Sequence, residues 1–302
     1  MGGHFVNCWK YKQIMNQPIQ NPTENQTIQG WHGSLELAYA QSGSATQLVS
    51  AKATAPLKMQ RPFYPEGEGV CHSVILHTAG GIVGGDSLGQ SIHLKENAHA
   101  LITTAAAAKL YRSLGEVARQ RIEIQVDSGA CLEWLPQESI VFNGAVYRQD
   151  LRINLAPDAR LLLWEINRFG RSARGETFVQ GEWRSQTEIW QEGRPLWIDR
   201  QHLQGSESAV SSHSALAGFP IVATLAWIGD PVTPELVQEA RSLWQAHSTG
   251  GEAGVTRLPQ GLLCRYRGSS TPEVRNWFSE VWQLLRLSFI GRPSCPPRVW
   301  PI

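Results

Sequence analysis

Charge is scarce in this chain of 302 residues: Asp, Glu, Lys and Arg together make up 18%, and 27 basic against 26 acidic residues leave a net charge of +1. No broad field is available to hold a polyanion, so nucleic acid and anionic membrane surfaces lose their main driving force as partners. Apolar runs are short as well. The longest predominantly apolar stretch, Ile221–Ile228, falls far below the roughly 20 residues that span a bilayer. The cysteines, Cys8, Cys71, Cys131, Cys264 and Cys295, are odd in number and form no C-x-x-C pair, which argues against a disulfide framework or a zinc knuckle and for a reducing compartment. The opening residues MGGHFVNCWKYKQ hold no apolar signal-peptide core, and Val6 stands where a myristoylation pattern needs Ser or Thr. A cytoplasmic protein with neither a nucleic-acid nor a membrane partner is the expectation. What is present is a globular composition, 42% hydrophobic with 12 tryptophans, in a chain large enough to fold without covalent staples. Low surface charge beside that apolar content points to surface covered by partners.

Residues 1–29 include NQPIQNPTENQTIQ, rich in Asn, Gln and Pro with isolated isoleucines and no period; they predict a flexible N-terminal tail. From residue 30 to residue 302 no linker interrupts the pattern, and one domain is expected, strand-rich over 31–205 and mixed strand and helix over 206–302. In the first part Leu35-Glu-Leu37-Ala-Tyr39, Ile122-Glu-Ile124-Gln-Val126 and Leu151-Arg-Ile153-Asn-Leu155 alternate as half-buried strands do. A repeat also emerges when Ile92–Ala98, Ile124–Ala130 and Ile153–Ala159 are aligned: apolar–x–apolar, a turn, then Ala. The alanines lie 32 and 29 residues apart, the length of one strand–turn–strand unit. A β-helix-like solenoid of stacked strands is predicted, with a layered sandwich as the alternative.

The last third changes period. Thr233-Pro234 opens a helix carrying Leu236, Val237, Ala240, Leu243 and Trp244 on one face, and Thr271-Pro272 opens a second with Val274, Trp277, Val281, Leu284 and Leu285, stopped by Gly291 and Pro293. Gly261–Tyr266 between them reads as a strand. Two amphipathic helices should therefore pack on the β layer.

The local feature with most chemical promise is Gly80-Gly81-Ile82-Val83-Gly84-Gly85-Asp86, where glycines permit tight backbone excursions and a carboxylate follows. No Lys-Ser/Thr follows it, and the dinucleotide spacing is absent, so nucleotide binding is set aside. His72 and His77 sit five apart, on opposite faces if they share a strand, and cannot chelate one ion together. His77 is instead placed to join Asp86 at a cavity mouth. His93 and His99, separated by a turn, make weaker ligands. Glu133 and Glu138 lie among large apolar groups, where a carboxyl can be pushed toward neutrality, and Glu176 lies in an Arg-rich turn with Arg168, Arg171 and Arg174. H-E-x-x-H is absent.

Singly these features are bland, but their order is specific. Pro56–Gly67 (PLKMQRPFYPEG), His77–Leu88 (HTAGGIVGGDSL), Ala107–Ser113 (AAKLYRS), Leu132–Ala145 (LEWLPQESIVFNGA), Gly170–Glu176 (GRSARGE) and Trp282–Trp300 (WQLLRLSFIGRPSCPPRVW) together resemble the urease accessory protein UreD family, also called UreH. His77-Thr-Ala-Gly-Gly departs from the family's more usual His-Pro-Pro-Gly-Gly. The resemblance implies a β-helix-like stack with C-terminal helices and no catalytic role. It implies a scaffold that carries Ni²⁺ transiently, through a water-filled interior passage, to apo-urease, in complex with UreF and, through UreF, the GTPase UreG. Along such a passage Asp86 is the first expected ligand, a hard oxygen without the full set that would trap the ion; His77, Glu176 and Glu138 follow. The alternative drawn from the residues alone is a carbohydrate-active enzyme on a β-solenoid, using Glu133, Glu138 or Asp86.

Overall fold

The computed structural model describes residues 30–247 and 250–300; the predicted N-terminal tail lies outside the described residues. The chain enters through the hairpin β1 (His32–Ser42) and β2 (Ala45–Thr54), then β3 (Leu57–Met59) and β4 (Cys71–His77). Coils follow: β5 (Ser87–Leu94), β6 (His99–Thr104) and β7 (Ala108–Leu110); β8 (Ala118–Val126), β9 (Cys131–Trp134) and β10 (Ser139–Val141); β11 (Val146–Leu155) and β12 (Arg160–Phe169). The hairpin β13 (Glu182–Gln191) and β14 (Arg194–Gln204) closes one end. The remainder is α1 (Glu207–Ser211), β15 (Ile221–Ile228), α2 (Pro234–His247), β16 (Glu252–Leu258), β17 (Gly261–Gly268) and α3 (Thr271–Leu285).

Two sheets result. The first runs β14-β13-β11-β8-β5-β1-β2 and the second β16-β17-β15-β12-β9-β6-β4-β3, with β7 and β10 pairing beside β12 as a short third side. In the first sheet β1, β5, β8, β11 and β13 are all parallel, so Leu37, Ile92, Ile124, Ile153 and Ile189 fall in one register and stack as a buried row. This is the β-solenoid-like arrangement that the repeat predicted. The aligned alanines Ala98, Ala130 and Ala159 are fully buried at the turn from the first sheet to the second. There the amide of Cys131 bonds to the carbonyl of Ala98, and that of Arg160 to Ala130, so each turn sits on the one before. Gly129 shows why the turn wants glycine: its φ is +66°, and a Cβ would lie 2.2 Å from Asn97 Oδ1.

The middle of the second sheet, over β9, β12 and β15, is buried on both faces, which accounts for unbroken apolar segments such as Leu161-Leu-Leu-Trp164. Its inward residues (Leu161, Leu163, Ala226, Ile228) join the core between the sheets. Its outward ones (Leu162, Trp164, Leu225, Trp227) meet the helical layer, including Val237 and Ala240 of α2 and Val274, Trp277, Phe278, Val281 and Trp282 of α3. Both predicted helices are present on their predicted faces. Thr233 accepts the Leu236 amide at the start of α2, and Ser270, one residue before the predicted start, accepts that of Glu273 at the start of α3. Past Leu285 the helix widens over Arg286–Ile290, where the Gly291 amide reaches the Arg286 carbonyl, before Gly291 ends it at φ +71°. Trp300, in the closing segment, turns inward: its ring packs on Trp164 at 5.1 Å and on Trp282 at 5.9 Å, and its Nε1 donates to Thr103. Among the described residues no helix is long and apolar enough to cross a membrane.

Candidate functional site

The two edges of the solenoid differ. At one, the first sheet passes to the second through the tight turns 95–98, 127–130 and 156–159; at the other, the return runs through the longer segments 78–86, 105–117, 135–145 and 170–181. The motifs from HTAGGIVGGDSL to GRSARGE lie wholly or partly in these longer segments. They interlock: the Tyr111 hydroxyl donates to the Gly80 carbonyl, the Tyr111 ring meets Phe142 edge-on at 5.0 Å, and the Arg171 guanidinium lies 4.5 Å over Phe142. Gly81 is required by this contact, since a Cβ there would lie 2.3 Å from the Tyr111 ring.

The four residues expected to handle an ion occupy different settings along this edge. Asp86 is buried with both oxygens engaged: Oδ1 accepts the Trp31 amide at 2.8 Å and Oδ2 the Val83 amide at 2.9 Å. It ties the glycine loop to the first strand. Glu176 takes the Arg171 guanidinium on one oxygen and the amides of Asn143 and Arg171 on the other; the Arg171 bond, acting against partial burial, holds its carboxyl below the usual range. Glu138 pairs with Arg275 of α3. Of the four, His77 alone has a half-buried ring whose two nitrogens are shielded and bond no described residue, and burial pulls its pKa down while nearby Asp86 opposes. It is neutral at physiological pH and able to offer a lone pair.

His77 lines a cavity of about 300 Å³ together with Gly81, Gln90, Thr104, Lys109 and Gln120. From this cavity a file of polar side chains continues along the interior, on strand positions where alternation would place apolar residues. Across the first sheet Leu88, Gln120, Gln149, Ser185 and Gln201 share one register, and Gln90, Ile122, Leu151, Thr187 and Asp199 the next inward one. Tyr147 donates to Gln120 at 2.7 Å, and Gln149 and Ser185 donate to Glu165 of β12. At the far end Arg265 of β17 grips Asp199 with two bonds of 2.8 Å, also donates to Thr224, and Gln201 donates to Asp199. Burial pushes the Glu165 carboxyl up to about 7; Asp199 adds to this, while Gln149, Ser185 and Arg265 oppose it. Two further buried polar atoms with no partner among the described residues, Gln90 Oε1 and Thr187 Oγ1, lie on the same file. Buried polar atoms left open in this way are where water or a passing ion finds its bonds. Sequence reasoning did not single out Gln90, Gln120, Gln149, Glu165, Asp199 or Arg265. The available signal was parity, as in Leu88-Gly-Gln90-Ser-Ile92, where a polar residue occupies the apolar phase.

On the opposite, outward face of the second sheet lies a denser polar cluster. Glu133, fully buried, accepts from Trp282 at 2.6 Å, from Arg286 Nε at 3.1 Å, and faces His99 Nε2 at 2.6 Å. Arg286 also reaches Glu66, which in turn bonds His72 at 2.7 Å. His72 and His77 do lie on opposite faces, as their spacing predicted. Gly85-Asp-Ser-Leu-Gly89 has the spacing of a hydrolase nucleophile elbow, but Ser87 opens strand β5 and is exposed, with no strand-to-helix turn to aim it.

A closed stack of parallel strands, with an interlocked loop edge, a polar interior file and a tryptophan-rich helical backing, defines the class as a β-solenoid-like scaffold. The chain belongs to the UreD urease accessory protein family, whose model matches residues 32–301. It is 63% identical over 276 residues to the urease accessory protein UreD of Trichormus variabilis, covering 91% of this chain and 98% of that one. It is 64% identical over 273 residues to that of a Nostoc species (90% and 97%), and 43% identical over 256 residues to that of a Synechocystis species (84% and 95%).

Proposed function

We propose that this chain is a non-catalytic scaffold that passes Ni²⁺ to apo-urease in the cytoplasm, acting in a complex with UreF and, through UreF, the GTPase UreG. The family supports the urease-maturation role; the observation that carries the conduit is the interior polar file. A conduit needs ligands that bind and release, and this file offers single oxygens and one neutral imidazole, spaced apart, where a storage site would gather four to six. Asp199 is neutralised by Arg265, so Glu165 is the carboxylate left to meet a cation, and a carboxyl near pH 7 exchanges a proton for a metal at low cost. His77 stands at the cavity end. Asp86 shapes that mouth by fixing the loop, and Glu176 and Glu138 hold neighbouring segments of the same edge. The glycan-enzyme reading gains nothing from its acids, since Glu133, Glu138 and Asp86 are all committed to structural partners.

The test is urease activity after co-expressing the apo-enzyme and the other accessory proteins with nickel, with and without this chain, alongside a pull-down for UreF and urease. Activity should require the chain. The doubly substituted Gln90→Leu/Thr187→Val chain, which plugs the file with apolar groups, should co-purify normally yet lower activation at limiting nickel. Full activation by that folded variant would refute the passage, and activation without the chain would refute the role.

A further inference from the structure

The cluster outside the solenoid has the donors for a metal of its own. His99 and Cys131 are register partners on the adjacent parallel strands β6 and β9, and Glu133 follows two residues on, so all three point away from the interior file. His99 Nε2 or Nδ1, Cys131 Sγ and a Glu133 oxygen lie within 4.8 Å of one another. We infer that His99, Cys131 and Glu133 form a binding site for a borderline divalent cation of the zinc and nickel class, separate from the interior passage.

The donor set decides the class of ion. Thiolate and imidazole favour Zn²⁺, Ni²⁺ or Co²⁺ over Mg²⁺ and Ca²⁺, and three protein ligands leave a position open, as exchangeable rather than sealed sites do. Charge decides whether the site can fill. A bound dication takes His99 as a neutral imidazole, Cys131 as a thiolate and Glu133 as a carboxylate. The two anionic ligands balance its charge, so the filled site buries no unpaired dication. Arg286 need not leave: it shares Glu133 through Nε but is anchored by Glu66 and by the Pro293 carbonyl, and Trp282 holds the other Glu133 oxygen. His99 supplies the approach, its side chain being 14% exposed. A second group, Glu66, His72 and Cys295, has similar donors, but Glu66 faces two guanidiniums, those of Arg286 and Arg292, where Glu133 faces Arg286 alone, so a cation there meets the greater repulsion.

This inference does not rest on the nickel passage, and either can fail alone. The purified full-length chain is titrated with Co²⁺, following the near-ultraviolet sulfur-to-cobalt charge-transfer band, and with Zn²⁺ by calorimetry in two buffers of different ionisation enthalpy. One equivalent should bind with net release of protons. The band should vanish in Cys131→Ser, Zn²⁺ affinity should fall at least about tenfold in His99→Gln, and both should persist in Cys8→Ser, Cys295→Ser and Gln90→Leu/Thr187→Val. Circular dichroism and melting of the metal-free variants verify that they are folded. A band that survives in folded Cys131→Ser, a band lost in Cys295→Ser, or a wild-type chain giving neither band nor binding heat would overturn the site.

Discussion

Glu165→Gln should make the protein more stable and less useful at once. The carboxyl moves from an ordinary 4.5 to about 7 on folding, because burial and Asp199 outweigh Gln149, Ser185 and Arg265. A raised carboxyl means that the folded state holds the proton more tightly, so this group's contribution is fully present below pH 4.5 and is lost as pH rises through 7. At pH 8 the ionised group costs about 3 kcal/mol relative to a neutral one, since each tenfold gain in proton affinity on folding corresponds to about 1.4 kcal/mol. Glutamine is the same shape, never ionises, and can still accept from Gln149 and donate to Ser185. The variant should therefore exceed the wild type by about 2–3 kcal/mol at pH 8, with the advantage shrinking toward zero at pH 4.5. Paired urea titrations across that range measure it. The same substitution removes the carboxylate of the interior file, so urease activation at limiting nickel should fall. A variant no more stable at pH 8 than wild type would refute the buried-carboxyl argument; a stabilised variant with full activation would refute the role assigned to it.

Other substitutions separate structure from transport. Arg286→Met leaves Glu133 and Glu66 without their shared cation and should cost about 3–5 kcal/mol in chemical denaturation; the triple change with Glu133→Leu and Glu66→Gln should recover much of that loss. Asp86→Ala strands the amides of Trp31 and Val83 and should cost about 1–3 kcal/mol, with reduced nickel delivery and complex formation retained. Full urease activation by that variant would show that the mouth does not need the tie. Gly81→Ala forces the Tyr111 ring off Phe142 and should lower the melting temperature by several degrees, whereas the same change at Gly80, where a Cβ meets nothing within 4 Å, strains only the backbone at φ +76° and should cost less.

Period-two alternation and the alanine repeat made the stacked strands legible, because inward residues of a parallel coil must recur at the same phase on every rung. Helix starts were legible from Thr-Pro pairs for the same local reason. The candidate site was less so. His77 was recognisable beside the glycines, but the role of Asp86 depends on two backbone amides, one from Trp31, 55 residues earlier, and no side-chain pattern records a backbone donor. Glu133 offered only an acid among apolar neighbours; its partner Arg286 stands 153 residues away, delivered by a widened helical turn. The interior file is hidden for a related reason: each polar residue looks like a single break in its own strand, and only stacking turns separate breaks into a continuous row.

The second sheet separates two compartments that share a single thickness of backbone. Glu133 and Trp164 look outward to the helical layer, while their neighbours Leu132 and Glu165 look inward to the file. Whatever grips the outside of this partition also leans on the polar file behind it. A protein docked on the helices that cover the tryptophans would thus have a lever on cargo it never touches, and the partition could meter the proposed passage without any door of its own.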